Sequence, residues 1–378
     1  MGIQNYQVQF SLTGVGDSWT SFTNLQEIQV NIGRQAQLDQ IKASTAFFSL
    51  RYPTGYASPI TALVSGTFIR IRNATSTPYE LFQGRINDVS VRYGIPYQSG
   101  IGQADYVDVT CESVFAQLGR MQGNNYAMAA DTATNQCSAA AAQTDLGMTY
   151  FSSVTPTPLM SGTTVNTTWG DWYARICLST NARLRDGYSL FNCSAIGPFA
   201  PAVSTINFSD TTNDATNQVY NQINFDSLAD NFYTQVSVTP DGFATQTVTK
   251  AGATKPYRTY QVNTANGSNA QALDFANYLL SNYGTPRFAI SSFTCMSEAQ
   301  SVFALDRVGT GTLGSSVGYQ TTVAFRGTNY VCIFEGFTMS ATPAGSQFTY
   351  YVSGADLNAY MILNNATFGT LDNNKLGY

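Results

Sequence analysis

The sequence predicts a mainly β protein with some α that contains two copies of a β-barrel unit. Three observations support this: short runs that alternate with a period of two, turn residues between those runs, and a sequence pattern that occurs twice. Short, regularly spaced strands separated by turns are typical of sandwiches and small barrels. The chain has 378 residues, enough for about two to three domains.

Strand-like runs, rich in β-branched and aromatic residues, occupy both ends of the chain. In the first third they are Gln4 to Leu12, Glu27 to Ile32, Ala46 to Arg51, Thr67 to Arg72, Tyr79 to Val91 and Asp105 to Cys111. Beyond the middle they are Val219 to Phe225, Phe232 to Thr239, Thr245 to Thr249, Arg287 to Met296, Gly318 to Phe325, Tyr330 to Met339 and Gln347 to Val352. Turn residues separate them at Pro53-Thr54-Gly55, Gly94 to Pro96 and Ser99-Gly100.

Helices are fewer. The alanine-rich segment Ala129 to Gln143 is helix-capable but has no clear apolar stripe, and Trp172 to Leu178 predicts a short helix. One helix is well marked, because Ser268-x-x-Gln271 has the spacing of a capping box. An apolar stripe follows at Ala272, Phe275, Ala276, Leu279 and Tyr283, and the stop signals are Gly284 and Pro286.

The repeated pattern is an aliphatic–Phe–x–Gly core. It occurs as Leu81-Phe82-x-Gly84 within residues 79–86 and as Ile333-Phe334-x-Gly336 within residues 330–337. In both places an alternating strand precedes the pattern and another follows it. A glycine at such a point permits a bulge or sharp coil, which bends a sheet into a barrel. We interpret the repeat as two copies of one barrel unit; the alternative is chance likeness between two hairpins.

Charge is scarce. Asp, Glu, Lys and Arg make up 11% of the chain, against about 25% in typical soluble proteins. Ser, Thr, Asn and Gln take their place. Because interface cores are depleted in Lys, Glu and Asp, this composition favours a surface covered by other subunits; adaptation to an unusual environment is the alternative.

Several classes of protein are disfavoured. The net charge is −5 and no basic run exists, whereas a sequence-specific nucleic-acid binder needs a cationic stripe. Residues Met1 to Leu12 lack the cationic and apolar regions of a signal peptide. No apolar run approaches the roughly 20 residues that span a bilayer. We therefore expect a chain made in a cytoplasm and not inserted in a membrane.

The cysteines predict buried free thiols and no metal centre. The six are Cys111, Cys137, Cys177, Cys193, Cys295 and Cys332. Their spacing is far wider than in CxxC motifs, and the chain contains no histidine, which removes the Cys/His zinc patterns. Disulfides stay open as the alternative.

Catalytic candidates are weak, and we expect no catalytic, cofactor-binding or metal-binding residues. Without histidine, His-dependent nucleophilic sites are excluded. The run Gly309-x-Gly311-x-x-Gly314 has the letters of a dinucleotide motif without a helix behind it, which favours a loop.

Paired carboxylates that cleave a polysaccharide are the remaining option. Asp105 and Asp108 would face opposite sides of a strand. Asp108 and Glu112 share a side, but the strand is predicted to end between them. Asp210, Asp214 and Asp226 are typical of turns and caps.

A set of short motifs, in order and spacing, carries a family resemblance. In the first third these are Gly33-Arg34, Leu38, Ala46 to Leu50, Tyr56-x-x-Pro59, Gly66-Thr67-x-Ile69-x-Ile71, Leu81-Phe82-x-Gly84-Arg85-Ile86-x-Asp88-Val89 and Leu118-Gly119-Arg120. Later they are Tyr220-Asn221-x-Ile223, Ala270 to Leu280, Pro286-Arg287, Gly336 and Ala366 to Asp372. Together they resemble minor tail proteins of long-tailed bacteriophages, the hub family at the base of the tail.

The resemblance implies a domain layout. It places a first tail-tube-like barrel at 1–121 and an α+β accessory domain at 122–204, completed by 241–300. The second tube-like barrel would comprise 205–240 and 301–353, and 354–378 would be a C-terminal extension. The Ala129 to Gln143 insert and the Pro/Thr loop after it match nothing in the family.

The resemblance also implies a function. In the family, three subunits form a pseudo-six-fold ring that continues the tail tube, so we expect a virion protein of the tail tip, a homotrimer. Its partners would be a tube or distal-tail protein, a spike and fibres, with DNA passing unbound through the channel. The alternatives are a hexameric distal-tail or tube-like protein and a carbohydrate-binding or polysaccharide-degrading receptor-recognition protein.

Overall fold

The computed structural model describes residues 3, 6–14, 18–52, 63–73, 80–94, 104–151, 157–197, 206–212, 214, 217–226, 232–285, 289–296 and 317–354. Fourteen strands within these ranges belong to one large sheet. The run from Gly309 to Gly314, the turns at 53–55 and 99–100, and residues 355–378 of the predicted extension lie outside the described residues.

The first barrel comes from the first third of the chain. Its strands are β1 (Tyr6–Ser11), β2 (Thr20–Ser21), β3 (Leu25–Gly33), β4 (Thr45–Tyr52), β5 (Phe68–Asn73), β6 (Glu80–Arg92) and β7 (Asp105–Glu112). They pair antiparallel in the order β3, β4, β7, β6, β5, β1, β2. A backbone hydrogen bond from Ile3 N to Leu25 O (3.3 Å) joins the residue before β1 to β3, and one from Phe22 N to Val8 O (2.9 Å) extends the pairing of β2 with β1. The sheet therefore closes on itself.

The first part of the accessory domain follows β7. Its elements are α1 (Val114–Leu118), β8 (Tyr126–Met128), β9 (Asp131–Thr132), α2 (Ala133–Thr144), β10 (Gly147–Phe151), β11 (Leu159–Met160), β12 (Thr163–Val165), α3 (Trp169–Ser179), β13 (Arg183–Arg185) and β14 (Asn192–Ile196). Helices α2 and α3 pack on the sheet β10–β14–β13 around Cys137, Tyr173 and Cys177. In α2 the buried side chains are mostly small, which explains why its sequence shows no strong apolar stripe.

The chain then builds part of the second barrel, leaves it, and returns. The elements are β15 (Asn207–Ser209), β16 (Asn217–Val219), β17 (Gln222–Asp226), β18 (Gln235–Pro240), β19 (Gln246–Thr249), β20 (Thr259–Thr264), α4 (Asn269–Tyr283), β21 (Ala289–Met296), β22 (Gln320–Phe325), β23 (Thr328–Thr342) and β24 (Gly345–Gly354). Strands β18 to β20 form a separate three-stranded sheet covered by α4. The Ser268 hydroxyl caps α4 by accepting a hydrogen bond from Gln271 N (3.2 Å), as the capping box predicts.

The second barrel follows the strand order β22, β23, β24, β21 and β17. Strand β16, which precedes β17 in the chain, pairs with β15, and β15 pairs with β22, so the barrel closes. The segment predicted as one strand is interrupted between Val219 and Gln222, so that β16 pairs with β15 and β17 pairs with β21. Phe208, Phe293, Phe334 and Tyr350 fill its interior and are completely buried.

Five strands of the second barrel follow the order and directions of five in the first. Strands β17, β21, β22, β23 and β24 correspond to β3, β4, β5, β6 and β7. The sixth differs, because β15 runs parallel to β22 whereas β1 runs antiparallel to β5. The repeated sequence pattern lies on the equivalent strands β6 and β23, and a bulge interrupts each of them at Asn87 and at Glu335. The prediction of a mainly β fold with two tube-like barrels and an α+β accessory domain is confirmed.

Strand pairing differs from the predicted domain layout at two places. The predicted layout places Gln235–Pro240 in the second barrel, but its inward residues Val236 and Val238 pack against α4 in the small sheet. The same layout places Ala289–Met296 in the accessory domain, but this strand pairs with β17 and β24 and buries Phe293 in the barrel. Alternation predicts a strand without indicating which of two sheets the strand will join.

Candidate assembly surface

Eight strands form one continuous layer across both barrels. Their order is β17, β21, β24, β23, β3, β4, β7, β6. One face of the layer holds the apolar side chains of the barrel cores, and the other face is open. Side chains in register run across the open face from barrel to barrel, as in the row Thr294, Thr349, Thr338, Asn31, Thr45.

The open face is largely uncharged. On β21, β24 and β23 its side chains include Ser292, Thr294, Gln347, Thr349, Thr338 and Ser340. Thr294 Oγ1 and Thr349 Oγ1 hydrogen bond at 3.1 Å, and Asn224 Nδ2 on β17 donates to Ser292 Oγ at 3.0 Å. The charged residues of this face include Asp108 and Glu112 on β7, which form ion pairs with Arg92 and Arg120. The scarcity of charge in the sequence therefore corresponds to a largely uncharged surface that spans both barrels.

The two barrels join where β3 pairs with β23, from Gly33 opposite Gly336 to Ile28 opposite Ala341. Inward side chains along this junction are fully buried, including Val30 and Phe337. The two glycines allow the backbones to approach closely. A Cβ on Gly336 would lie 2.4 Å from Ile32 O, and one on Gly33, whose φ is +75°, would lie 2.3 Å from Glu335 O. Only glycine fits such a contact without displacing backbone.

A buried ionic cluster links both barrels to the accessory domain. Glu335, in the β23 bulge, accepts hydrogen bonds from Arg34 Nε (2.9 Å), Arg183 Nη2 (2.8 Å) and Ser353 Oγ (2.5 Å). Arg34 follows β3, Arg183 begins β13, and Glu335 has no exposed surface. Burial by itself raises the pKa of Glu335, but the guanidiniums of Arg183 and Arg34 outweigh it and lower that pKa to about 2. The carboxylate therefore stays charged and fixes three elements in one geometry.

A second buried carboxylate attaches the accessory domain to the first barrel. Asp186 accepts hydrogen bonds from Ser44 N (3.0 Å), Phe115 N (3.3 Å) and the Ser113 hydroxyl. Burial raises the pKa of Asp186. Sequence reasoning identified neither this aspartate nor the Glu335 cluster, because no local motif marks residues that meet from distant segments.

The predicted acidic candidates do not assemble into a hydrolytic pair. Asp105 is buried and Asp108 lies on the other side of β7, as the alternation predicts. The expected strand end between Asp108 and Glu112 was wrong, since β7 includes both and pairs with β4 along its whole length. Asp108 binds Arg92 (2.6 Å) and Glu112 binds Arg120. Burial raises the pKa of Asp108, but hydrogen bonds from Arg92 and Ser49 outweigh it and lower that pKa.

The other acidic candidates serve local structure. Asp210 accepts a hydrogen bond from Arg326 N (2.7 Å), and Asp214 accepts one from Asn217 N (2.8 Å), while Asp226 ends β17. Within the described ranges, no three Cys, Asp or Glu side chains form a metal-binding group. No helix in the described part of the chain has the length and apolarity to cross a membrane.

All six cysteines are free and buried, as predicted. Burial raises the pKa of the Cys177 and Cys332 thiols to about 12. Because the thiolate is the reactive form, we expect the native protein to react with none of its thiols in a disulfide-exchange assay near neutral pH. The same assay in denaturant should count all six. Rapid labelling of a thiol in the native protein would contradict the buried arrangement.

No protein-family model and no curated protein sequence matches the chain. Its structure, however, superposes on solved proteins along almost its full length. The 43 kDa tail protein of prophage MuSo2 from Shewanella oneidensis matches with a TM-score of 0.62 at 11% identity, over 93% of this chain and 98% of that one. The chain has a phage tail-protein fold.

Two further structures support this. The tail protein of Neisseria meningitidis MC58 matches with a TM-score of 0.60 at 11% identity, over 92% of this chain and 96% of that one. An E. coli component of the type VI secretion system, itself structurally similar to the T4 tail proteins gp27 and gp5, matches with a TM-score of 0.51 at 10% identity, over 92% and 76%. The tail-protein fold is thus shared at very low identity, and the family resemblance of the sequence is confirmed at the level of fold.

Proposed function

We propose that this chain is a structural hub subunit of a phage tail tip, whose copies form a ring that continues the tail tube. The observation that carries the proposal is the eight-stranded layer, which joins two barrels of matching strand order through paired β3 and β23. One chain thereby contains a junction of the kind that neighbouring subunits of a ring need. The tail-protein fold supports the same role.

Packing favours one orientation of the layer in such a ring. The barrel interiors lie on one side of the eight-stranded layer, and its other side is the open face. Bulky barrels placed toward the axis would fill the centre, so the open face would line the hole. The hydroxyl and amide side chains that lie in register across this face include Thr338, Asn31 and Thr45. Such a lining has no row of cations to hold phosphates, and DNA could slide past it.

The proposed partners follow from this role. Three copies would supply six barrels, and the ring would contact a tube or distal-tail protein on one side and a spike or fibres on the other. The location would be the tip of the virion tail, and the role would be structural, without catalysis. Six copies would instead correspond to a distal-tail or tube-like protein.

Mass photometry and negative-stain imaging of the purified protein test the proposal. We expect a closed ring with a central hole and the mass of three chains. A protein that stays a compact monomer at high concentration would refute the assembly. A six-chain ring would favour the distal-tail alternative.

A further inference from the structure

We infer, on the basis of the proposed ring, that β6 of one copy pairs antiparallel with β17 of the next. The internal junction supplies the template. There β23 of the second barrel pairs with β3 of the first. The strand equivalent to β23 in the first barrel is β6, and the strand equivalent to β3 in the second barrel is β17. One further junction of the same kind therefore joins the first barrel of one copy to the second barrel of another.

Both strands offer an edge for this pairing. Beyond its bulge, β6 pairs with β7 on one side, and its other side meets no strand among the described residues. Along residues 222–225, β17 pairs with β21 on one side, and the described part of the chain supplies no strand on the other. Unpaired strand edges expose backbone groups that template pairing with another chain.

Burial of the inward side chains distinguishes these edges from the internal junction. At the junction, Met339 and Val30 are fully buried. At the two edges the equivalent apolar residues, Val91 and Phe225, pack against the core but are only partly buried. A neighbouring copy would complete their burial, as each barrel does for the other within one chain.

An exposed aromatic residue marks the same place. Tyr93, directly after β6, is 68% exposed, the largest value among the exposed large hydrophobic residues of the described ranges. A single exposed apolar residue is ordinary by itself. Tyr93 is informative because it takes the next inward position after Val89 and Val91, so a strand added to this edge would cover it. In the proposed pairing Tyr93 lies opposite Ile223, an inward residue of β17 that is partly buried.

The register follows from the equivalent bulges and from the strand pairings within each barrel. The bulge at Asn87 matches the bulge at Glu335, which aligns Val91 with Met339 and Arg92 with Ser340. Through β7 and β24 the same alignment matches Phe48 with Phe293, which lie opposite Ile28 and Ile223. Asn224 is thereby aligned with Gln29, and Phe225 with Val30.

Internally Met339 lies opposite Val30 and Ser340 opposite Gln29. Val91 therefore faces Phe225, and Arg92 faces Asn224. On the two paired strands, the residues that face the barrel interiors therefore lie opposite one another. The two edges differ from one another, so the contact is heterologous and can close a ring.

Disulfide trapping tests this register in the full chain, because the native thiols are buried. Residues directly opposite in an antiparallel pair are close enough to bridge. We expect Arg92→Cys combined with Asn224→Cys to yield cross-linked oligomers up to a closed ring under mild oxidation. When chains that carry only Arg92→Cys are mixed with chains that carry only Asn224→Cys, cross-linking should stop at dimers. Either single variant alone should give no cross-linked product. Ser90→Cys with Asn224→Cys, two residues out of register, is the matched control and should cross-link far more slowly.

The outcomes separate this inference from the proposed function. A ring visible by mass photometry without cross-links between 92 and 224 would overturn the pairing and leave the hub role intact. Cross-linking as fast in the out-of-register control would also overturn it. A chain that remains monomeric would overturn both.

A surface substitution gives an independent test. Tyr93→Asp should raise the dissociation constant of the assembly by about tenfold or more, as for a buried aromatic anchor, with an unchanged thermal midpoint of the monomer. The control is Phe243→Asp, since Phe243 is 43% exposed on the accessory domain, away from both edges. Equal effects of the two variants, or none from Tyr93→Asp, would exclude Tyr93 from the interface.

Discussion

Glu335→Gln is expected to lower the free energy of unfolding by about 3–5 kcal/mol, the usual cost of removing one partner from a buried ion pair. The carboxylate is the only group in the cluster that carries a negative charge, and it faces Arg34 at 2.9 Å and Arg183 at 2.8 Å. Without it, two largely buried guanidiniums would stay desolvated without a counter-charge. Denaturant unfolding followed by circular dichroism measures the change.

The pH dependence gives the same prediction a second readout. The pKa of Glu335 is lowered in the folded protein from its ordinary 4.5 to about 2. Its contribution to stability is thus fully present above the ordinary value and is lost as pH falls from about 4.5 towards 2. We expect the wild-type protein to lose stability across this window and Glu335→Gln to lose less.

Glu112→Gln is the matched control for charge removal. Glu112 pairs with Arg120, whose side chain is 61% exposed, and exposed ion pairs contribute about 0–1 kcal/mol. Equal destabilisation by the two substitutions would show that the buried Glu335 cluster stabilises the contact between the domains no more than an exposed ion pair does.

Gly33→Ala is expected to destabilise the junction between the barrels by about 2–5 kcal/mol, from overpacking together with a left-handed backbone. The added Cβ would lie 2.3 Å from Glu335 O and 2.8 Å from Gly336 Cα. Since both obstacles are backbone atoms, the strands themselves would have to separate. Unfolding midpoints and proteolysis between the barrels measure the effect.

Gly327→Ala separates strain from crowding. Gly327 has a similar φ of +79°, but a Cβ there meets nothing within 4 Å. We expect it to cost about 1–2 kcal/mol from backbone strain alone. If Gly33→Ala were no more harmful than Gly327→Ala, the close approach of β3 and β23 would not limit the junction.

Local patterns in the sequence were sufficient for most secondary structure. Alternation in 46–51 and 105–111 predicted β4 and β7, and the capping box at Ser268 predicted α4. The repeated aliphatic–Phe–x–Gly pattern indicated two barrels, and each copy lies on an equivalent strand. These features depend on neighbours a few residues apart, which the sequence displays directly.

Membership of a sheet could not be read in the same way. Gln235–Pro240 and Ala289–Met296 have equally good strand patterns, yet one lies under α4 and the other completes a barrel. The choice depends on which distant surface buries each apolar side, and no local signal records that surface.

What the sequence determined by itself was the strand and helix content, the doubling of a barrel unit, the buried thiols and an exterior poor in charge. Tertiary structure alone decided where that neutral surface lies, and how Arg34, Arg183 and Glu335 meet from three separate segments. It also decided which strand edges stay available to a neighbour. The physical reason is that strand formation follows from short-range alternation, whereas contacts between distant segments are set by how whole sheets close and pack.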